Sequence, residues 1–134
     1  MSRTWLITGV SSGFGYEMTK RLLEKGDIVI GTVRNKEKVK ALIEQYPANF
    51  DCRILDVTEV PEVQRTVRDA FGKYERIDVV VSNAGYGLFG CAEELSDEEI
   101  NQIIATNLTG SIQLIRSALP FLRKQGSGRI IQIS

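Results

Sequence analysis

The sequence predicts an α/β fold in which helices cover both faces of a parallel β-sheet. Two observations lead to this prediction. Short β-branched runs alternate along the chain with stretches that carry apolar side chains at helical spacing, which is typical of βαβ units. One run, residues 77–81, is nearly all valine and isoleucine, as expected for a central parallel strand that is buried on both faces.

Five strands are predicted from apolar runs that end at turn residues. Right-handed crossovers then favour a doubly wound, Rossmann-type sheet with the spatial order 3-2-1-4-5. In such a sheet, ligands bind at the carboxyl ends of the strands where the order reverses, which here lies between the first and fourth strands. The predicted strands cover residues 4–8, 27–33, 50–55, 77–81 and 129–133.

Four helices are predicted from periodicity and from their start and stop signals. Gly26 stands where a C-terminal cap belongs, and Thr58 is the expected N-cap of the third helix. The capping box 96–99 opens the last helix, which is expected to run unbroken to about Lys124. The predicted helices cover residues 14–25, 36–46, 59–74 and 97–124.

Composition excludes several classes of function. The chain has 17 lysines and arginines against 17 aspartates and glutamates, so no charge excess favours nucleic acid or an anionic membrane as partner. It has no histidine and two cysteines without CxxC spacing, which argues against a metal site and against His-based triads. No apolar run is long enough for a membrane span or a signal peptide. We therefore expect a cytoplasmic protein with reduced thiols.

The turn after the first strand has the composition of a phosphate-binding loop. Gly9 lets the chain leave the strand sharply, Gly13 lets backbone approach a pyrophosphate, and Gly15 lets the helix pack close to the sheet. Amides at the helix N-terminus offer donors to phosphate. A purely structural turn is the alternative. The predicted binding residues of this turn are Gly9, Ser11, Ser12, Gly13, Phe14 and Gly15.

Polar residues follow two other strands. Asp56 ends the third strand near the expected adenine edge, where a carboxylate can accept from an exocyclic amine; a plain turn residue is the alternative. After the fourth strand, Asn83, Ala84 and Gly85 keep side chains small where a ribose must pass, although a tight strand-end turn would need the same residues.

Asn107 is a polar residue within a predicted helix whose neighbours Ile103, Ile104 and Leu108 are apolar and expected in the core. Its amide should therefore have a specific partner. A solvated helix asparagine is the alternative.

The end of the second strand indicates which cofactor is preferred. NAD-binding units usually place an acid there, about 20 residues past the Gly-rich turn, to hold the ribose 2′-hydroxyl. This sequence has Val33 at that place and Arg34 directly after it. A guanidinium can bind a 2′-phosphate through bidentate, charge-assisted hydrogen bonds. The sequence therefore predicts NADP as the cofactor, with NAD less favoured. A surface arginine is the alternative.

The spacing of the first turn, TGxxxGxG, resembles that of the short-chain dehydrogenase/reductase family, and further motifs extend the resemblance. Asp56-Val57 matches the family's adenine-binding pair, and Ser82-Asn83-Ala84-Gly85 matches its Asn-Asn-Ala-Gly motif with serine in the first place. Asn107 matches the asparagine that, in the family, holds a water linking the catalytic lysine to solvent. Residues 128–134 match the strand that leads to the catalytic serine.

The resemblance implies catalytic residues that the sequence does not contain. The family uses a serine and a Tyr-x-x-x-Lys pair, and the only such spacing here joins Tyr16 to Lys20 within the first helix. We reject that pair and expect the catalytic serine just after Ser134. Residues 1–134 are thus expected to form one truncated cofactor-binding domain, without the C-terminal strands and helices, that is inactive alone and self-associates through the helix over 97–124.

The resemblance implies a parent enzyme that transfers a hydride between NADP and a carbonyl or secondary alcohol, with a small molecule as substrate. The alternative is a non-catalytic dinucleotide-binding module or sensor. Phe89, Gly90 and Cys91 either edge the substrate pocket or serve only packing.

Overall fold

The computed structural model describes residues 2–134 as a five-stranded, fully parallel sheet with the order β3-β2-β1-β4-β5. The predicted order 3-2-1-4-5 is confirmed. β1 lies in the middle and pairs with β2 on one side and β4 on the other. The strands are β1 Thr4–Thr8, β2 Ile28–Val33, β3 Phe50–Ile54, β4 Val79–Ser82 and β5 Arg129–Gln132.

Helices connect the strands and cover both faces of the sheet. A 3-10 turn at Lys36–Val39 precedes the second helix, and another at Ala92–Glu94 precedes the fourth. The α-helices are α1 Gly13–Glu24, α2 Lys40–Gln45, α3 Val60–Lys73, α4 Asp97–Ile104 and α5 Gly110–Gln125. Among residues 2–134, no helix is both long enough and apolar enough to cross a membrane.

The core consists of two apolar layers, one on each face of the sheet. Adjacent strand residues point to opposite faces, so Leu6 packs with α3 and α5 while Ile7 packs with α1 and α2. Val80 and Val81 of β4 divide in the same way and are both fully buried. The predicted burial of this strand on both faces is confirmed.

The fourth strand starts later than predicted. Ile77 is fully buried but lies outside the ladder. Its N–H donates to Oε1 of Gln125 at 3.1 Å, and its carbonyl accepts from Nε2 of the same amide at 3.0 Å. The side chain at the end of α5 thus replaces a neighbouring strand for this residue.

Two predicted helix starts are wrong. The segment 36–46 begins as a 3-10 turn because the Asn35 side chain accepts from the N–H of Glu37 at 2.9 Å and tightens the first turn. Thr58 does not cap α3, whose N-cap is Glu59. Instead its hydroxyl and its N–H donate to Oδ1 of Asp56 at 2.7 and 2.9 Å.

The predicted helix over 97–124 is not one α-helix. A π-helical turn, Ala105–Thr109, separates α4 from α5. Gly110 follows it and is buried, and a Cβ there would lie 3.1 Å from both the Val57 side chain and the Val57 carbonyl oxygen. The wide turn thus lies directly before a point where the helix backbone approaches Val57 closely.

The side chains around the π turn are also more exposed than predicted. Ile104 is 47% and Leu108 57% exposed, whereas Ile103 is half-buried. The reason is that Leu114, Ala118 and Leu122 occupy the face of α5 that packs on the sheet. Five residues at mostly four-residue spacing form a stripe on the opposite face, which we call the outer stripe: Ile100, Ile104, Leu108, Ile112 and Leu119.

A charged network ties the edge strand β3 to the end of α3. The carboxylate of Asp51 accepts from Nε and Nη2 of Arg53 at 3.2 and 3.0 Å, from Nζ of Lys73 at 3.1 Å and from the Tyr74 hydroxyl at 3.0 Å. Burial raises the pKa of this carboxyl, but the hydrogen bonds outweigh burial and lower the pKa from 3.8 to about 2.

We predict that Asp51→Asn lowers the free energy of unfolding by about 1–2 kcal/mol at neutral pH. Because the folded pKa lies below the unfolded one, this stability is present above the unfolded value of 3.8 and disappears as the pH falls towards about 2. Urea unfolding of wild type and variant across this range should show the gap closing. Glu44→Gln, at an exposed position, is the control, and a gap independent of pH would contradict the prediction.

Candidate functional site

A cleft of about 370 Å³ opens at the carboxyl ends of β1, β2 and β4, where the strand order reverses. The structure brings every predicted cofactor-binding residue into its lining except Gly15, which lies just behind it. The lining residues are Gly9, Ser11, Ser12, Gly13, Phe14, Thr32, Val33, Arg34, Leu55, Asp56, Val57, Asn83, Ala84, Gly85, Tyr86, Thr106 and Ile133.

Two glycines of the first turn are required by packing. Gly9 has a φ of +72°, and a Cβ there would lie 2.8 Å from Cα of Ala84. A Cβ on Gly15 would overlap the carbonyl oxygen of Gly9 and approach Nδ2 of Asn83 to 2.5 Å. Both positions bring the two turns together, and Gly9 also lines the cleft.

Gly13 differs from both. Its φ is +59°, and a Cβ there would meet no protein atom within 4 Å. The open space belongs to the cleft, at the first residue of α1. Ser12 precedes it as an extended N-cap whose side chain makes no capping hydrogen bond, and the first turn of α1 carries no acidic residue. The amides of this helix end are therefore available to an anion.

Hydrogen bonds join the ends of β1 and β4, which form the floor of the cleft. The hydroxyl of Thr8, which is 1% exposed, accepts from the N–H groups of Asn83 and Ala84, each at 3.1 Å. In return Nδ2 of Asn83 donates to the carbonyls of Thr8 and Gly9 at 3.1 and 2.9 Å. Sequence reasoning missed this role of Thr8, although a threonine at the end of a buried strand and directly before a Gly-rich turn was a signal for it.

Asn107 has the specific partner that the sequence called for. Its Oδ1 accepts from the N–H of Tyr86 at 3.0 Å, and its Nδ2 donates to the carbonyl of Tyr86 at 2.7 Å. The amide thus clamps both backbone groups of one residue from the middle of the π turn. Sequence reasoning missed Tyr86, because a backbone partner leaves no trace in side-chain type.

Arg34 and Asp56 place opposite charges at the end of the cleft that lies beside the carboxyl ends of β2 and β3. Hydrogen bonds from Thr58 lower the pKa of the Asp56 carboxyl, and the charge of Arg34 lowers it further. Arg34 is exposed and takes no part in the four ion pairs found among residues 2–134. Val33, which stands where an acid would hold a ribose, is 2% exposed. This end of the cleft therefore has an available guanidinium.

A second cleft, of about 540 Å³, meets the first at residues 83–86 and at Ile133. None of its lining side chains carries a charge. Besides residues 83–86, the lining consists of Asn107, Leu108, Ser111, Ile112, Ile115, Gln132, Ile133 and Ser134.

Comparison with known proteins gives a consistent result. Residues 3–134 match the family described as short chain dehydrogenase. The 3-ketodihydrosphingosine reductase of Bacteroides thetaiotaomicron is 37% identical over 133 residues, which is 96% of this chain and 45% of the relative. The chain spans about half the length of the curated relatives it matches.

Solved structures agree in fold. A short-chain dehydrogenase from Streptomyces avermitilis is 36% identical with a TM-score of 0.94, over 100% of this chain and 49% of that one. A variant of actinorhodin polyketide ketoreductase with NADPH is 33% identical with a TM-score of 0.89, over 99% of this chain and 53% of that one.

We predict that Asn107→Leu frees the backbone of Tyr86 while leaving the fold intact. Two hydrogen bonds are lost at an exposed site, which should cost about 1 kcal/mol. The measurement is hydrogen exchange at the Tyr86 amide, which should become faster. Asn101→Leu, on α4 and without a side-chain hydrogen bond among the described residues, is the matched control. Unchanged protection of Tyr86 in Asn107→Leu would show that the clamp does not hold this segment.

Proposed function

The chain belongs to the short-chain dehydrogenase/reductase family, and from this we propose that it is the cofactor-binding domain of an NADP-dependent oxidoreductase. The reaction would transfer a hydride between the cofactor and a carbonyl or secondary alcohol. The observation that carries the proposal is one cleft in which the open backbone of Gly13 and the unpaired guanidinium of Arg34 lie on the same lining.

The residues of the cleft fit the parts of a dinucleotide in order. The amides at the start of α1, beside Gly13, suit a pyrophosphate. Asp56 suits the exocyclic amine of an adenine, since a carboxylate is only an acceptor when ionised and its pKa is lowered here. The small residues 83–85 leave room for a ribose. Bound there, the cofactor would supply or accept the hydride.

The preference for NADP is proposed on charge. A 2′-phosphate next to Arg34 would gain charge-assisted hydrogen bonds, whereas the buried Val33 offers no carboxylate to a ribose hydroxyl. The similarity to a polyketide ketoreductase with NADPH supports this choice. The names of that protein and of the 3-ketodihydrosphingosine reductase support a ketone as the carbonyl substrate.

The chemical step needs groups that residues 1–134 do not contain. The one Tyr-x-x-x-Lys spacing lies within α1, where Tyr16 packs against the core layer and Lys20 is exposed. We therefore propose that residues 1–134 alone bind cofactor without turnover. A non-catalytic dinucleotide-binding module is the alternative, and a carbonyl reduction assay of the whole protein discriminates between the two.

The remaining expectations concern assembly and location. We propose that the outer stripe on the helical segment 97–124 contacts a second copy of the protein, since its five apolar side chains are 37–57% exposed. We also propose that the protein acts in the cytoplasm. This compartment keeps thiols reduced, which suits the two free cysteines, and it is also compatible with NADP-linked reduction.

We predict that the protein binds NADP more tightly than NAD, and that Arg34→Ala removes the difference. Losing a charge-assisted phosphate contact costs about 1.5–3 kcal/mol, or roughly 10- to 150-fold in Kd for NADP. Affinity for NAD should stay nearly constant. Fluorescence titration of both cofactors provides the measurement, with Arg68→Ala, an exposed arginine of α3, as control. Equal affinities of the wild type for the two cofactors would refute the assignment.

We predict that Gly13→Val abolishes NADP binding in a protein that still folds, because the side chain would occupy the space that a pyrophosphate needs. Gly26 offers a matched control. It also has a positive φ, +92°, and no atom within 4 Å of a Cβ, yet it lies at the end of α1 away from the cleft. Gly26→Val should lose similar stability, about 1 kcal/mol or more, but bind normally. Normal binding by Gly13→Val, with circular dichroism unchanged, would place the pyrophosphate elsewhere.

A further inference from the structure

Charged side chains are unevenly distributed at the carboxyl edge of the sheet, although the chain as a whole has no net charge. Residues 34–40, which follow β2, carry four cations against one anion and so have a net charge of +3. We call them the basic segment, and its cations are Arg34, Lys36, Lys38 and Lys40. All four are exposed, and none takes part in an ion pair among residues 2–134.

The opposite charge follows β4. Residues 92–99, which we call the acidic segment, carry five carboxylates and no cation, a net charge of −5. This segment lies along the chain between Tyr86 and Thr106, which both line the first cleft. β2 and β4 pair with opposite sides of β1, so the chain leaves the sheet towards the two segments on opposite sides of the Gly-rich turn. The first cleft therefore lies in a field that runs from the basic to the acidic segment.

The backbone of the basic segment is fixed by contacts with the core. Val39 is fully buried, and Leu42, which follows one turn later, is 3% exposed. At the start of the segment, Oδ1 of Asn35 accepts from the N–H of Glu37 at 2.9 Å. Lysine side chains on a fixed backbone keep their charges in one region even while the side chains move. The segment is thus a stationary source of positive potential.

The arginine and the lysines of this segment differ in their relation to the cleft. Arg34 lines the first cleft, whereas none of the three lysines lines either cleft. A guanidinium in the lining can contact a bound phosphate. Ammonium groups outside the lining act through the field that an anion crosses on its way in, which extends about 10 Å at 0.1 M ionic strength. The lysines therefore influence the approach of an anion rather than its bound state.

We propose that the lysines of the basic segment select NADP over NAD during association, because they attract the 2′-phosphate before it reaches Arg34. The inference rests on the proposed function and deepens it. A phosphate group adds about 1.5–2 negative charges to the dinucleotide at neutral pH, so the field accelerates NADP more than NAD. The acidic segment repels the same phosphate from the Tyr86 end of the cleft and favours its arrival at the β2 end.

Stopped-flow fluorescence of the reduced nicotinamide measures the association and dissociation of NADPH and NADH with the whole protein. At low ionic strength, Lys38→Gln with Lys40→Gln should slow association of NADPH about three- to tenfold and that of NADH about twofold or less, with dissociation unchanged. Lys38→Glu with Lys40→Glu should roughly double the logarithm of each effect. In 1 M NaCl, where the Debye length is about 3 Å, all three proteins should associate equally fast, which leaves Arg34 alone to distinguish the cofactors.

Lys25→Gln with Lys124→Gln is the matched control, because it removes the same charge at the opposite edge of the sheet. Both lysines are exposed and lie at the ends of α1 and α5, shortly before β2 and β5 begin. NADPH should associate with this variant almost as fast as with the wild type. Equal slowing by both pairs would mean that only net charge matters, and would overturn the proposal. Faster dissociation in the variants of Lys38 and Lys40 would indicate direct contact with the bound cofactor, and would overturn it as well.

Glu93→Gln with Glu94→Gln tests the opposite sign. Both carboxylates are exposed, and their removal should speed association of NADPH up to about twofold at low salt; slower association would overturn the proposed field. A wild-type protein that binds both cofactors, with association independent of the lysines, would overturn the inference and leave the proposed function standing. A wild-type protein that binds neither cofactor would refute the proposed function and the inference together.

Discussion

The hydrogen bonds that join Thr8 to Asn83 are the constraint on which the cleft depends. β1 and β4 run side by side, but their chains diverge immediately after these residues, one into the Gly-rich turn and the other into the segment towards Tyr86. Four hydrogen bonds of 2.9–3.1 Å hold the two exits together. They satisfy polar groups that the end of a buried ladder would otherwise leave unpaired. The same constraint explains why residues 9 and 15 are glycines, because a side chain on Gly9 or Gly15 would push the two chain exits apart.

This arrangement separates the residues that build the site from those that remain available to a ligand. Thr8, Gly15 and the amide of Asn83 are spent on internal contacts. Gly13, the start of α1 and Arg34 have no internal partner of comparable strength. Asn107 belongs to the first group, because its amide fixes the backbone of Tyr86. The residues with internal contacts hold the backbone of the site in place, and the residues without such partners remain available to a ligand. A preorganised binding site requires both.

The sequence predicted the strand order and the residues of the cleft well, because both depend on local patterns: β-branched runs, glycine turns, and polar residues at strand ends. It failed where a distant group decided the outcome. Ile77 looks like a strand residue, but Gln125 supplies its hydrogen bonds from 48 residues away. Thr58 has the chemistry of a cap and binds Asp56 instead. Leu108 is apolar like a core residue, but it is exposed because other side chains of α5 occupy the face that packs on the sheet.

The π turn between α4 and α5 has a consequence for chain length rather than for residue type. An α-helix advances about 100° per residue, and a π turn contains one residue more per hydrogen-bonded ring. Removing a single residue from Ala105–Thr109 would let this turn close into α geometry, and α4 and α5 would keep nearly the same rotational phase. The outer stripe would stay aligned, but the wide turn from which Asn107 reaches Tyr86 would be lost. The extra residue of the π turn therefore serves the contact with Tyr86 rather than the alignment of the two helices.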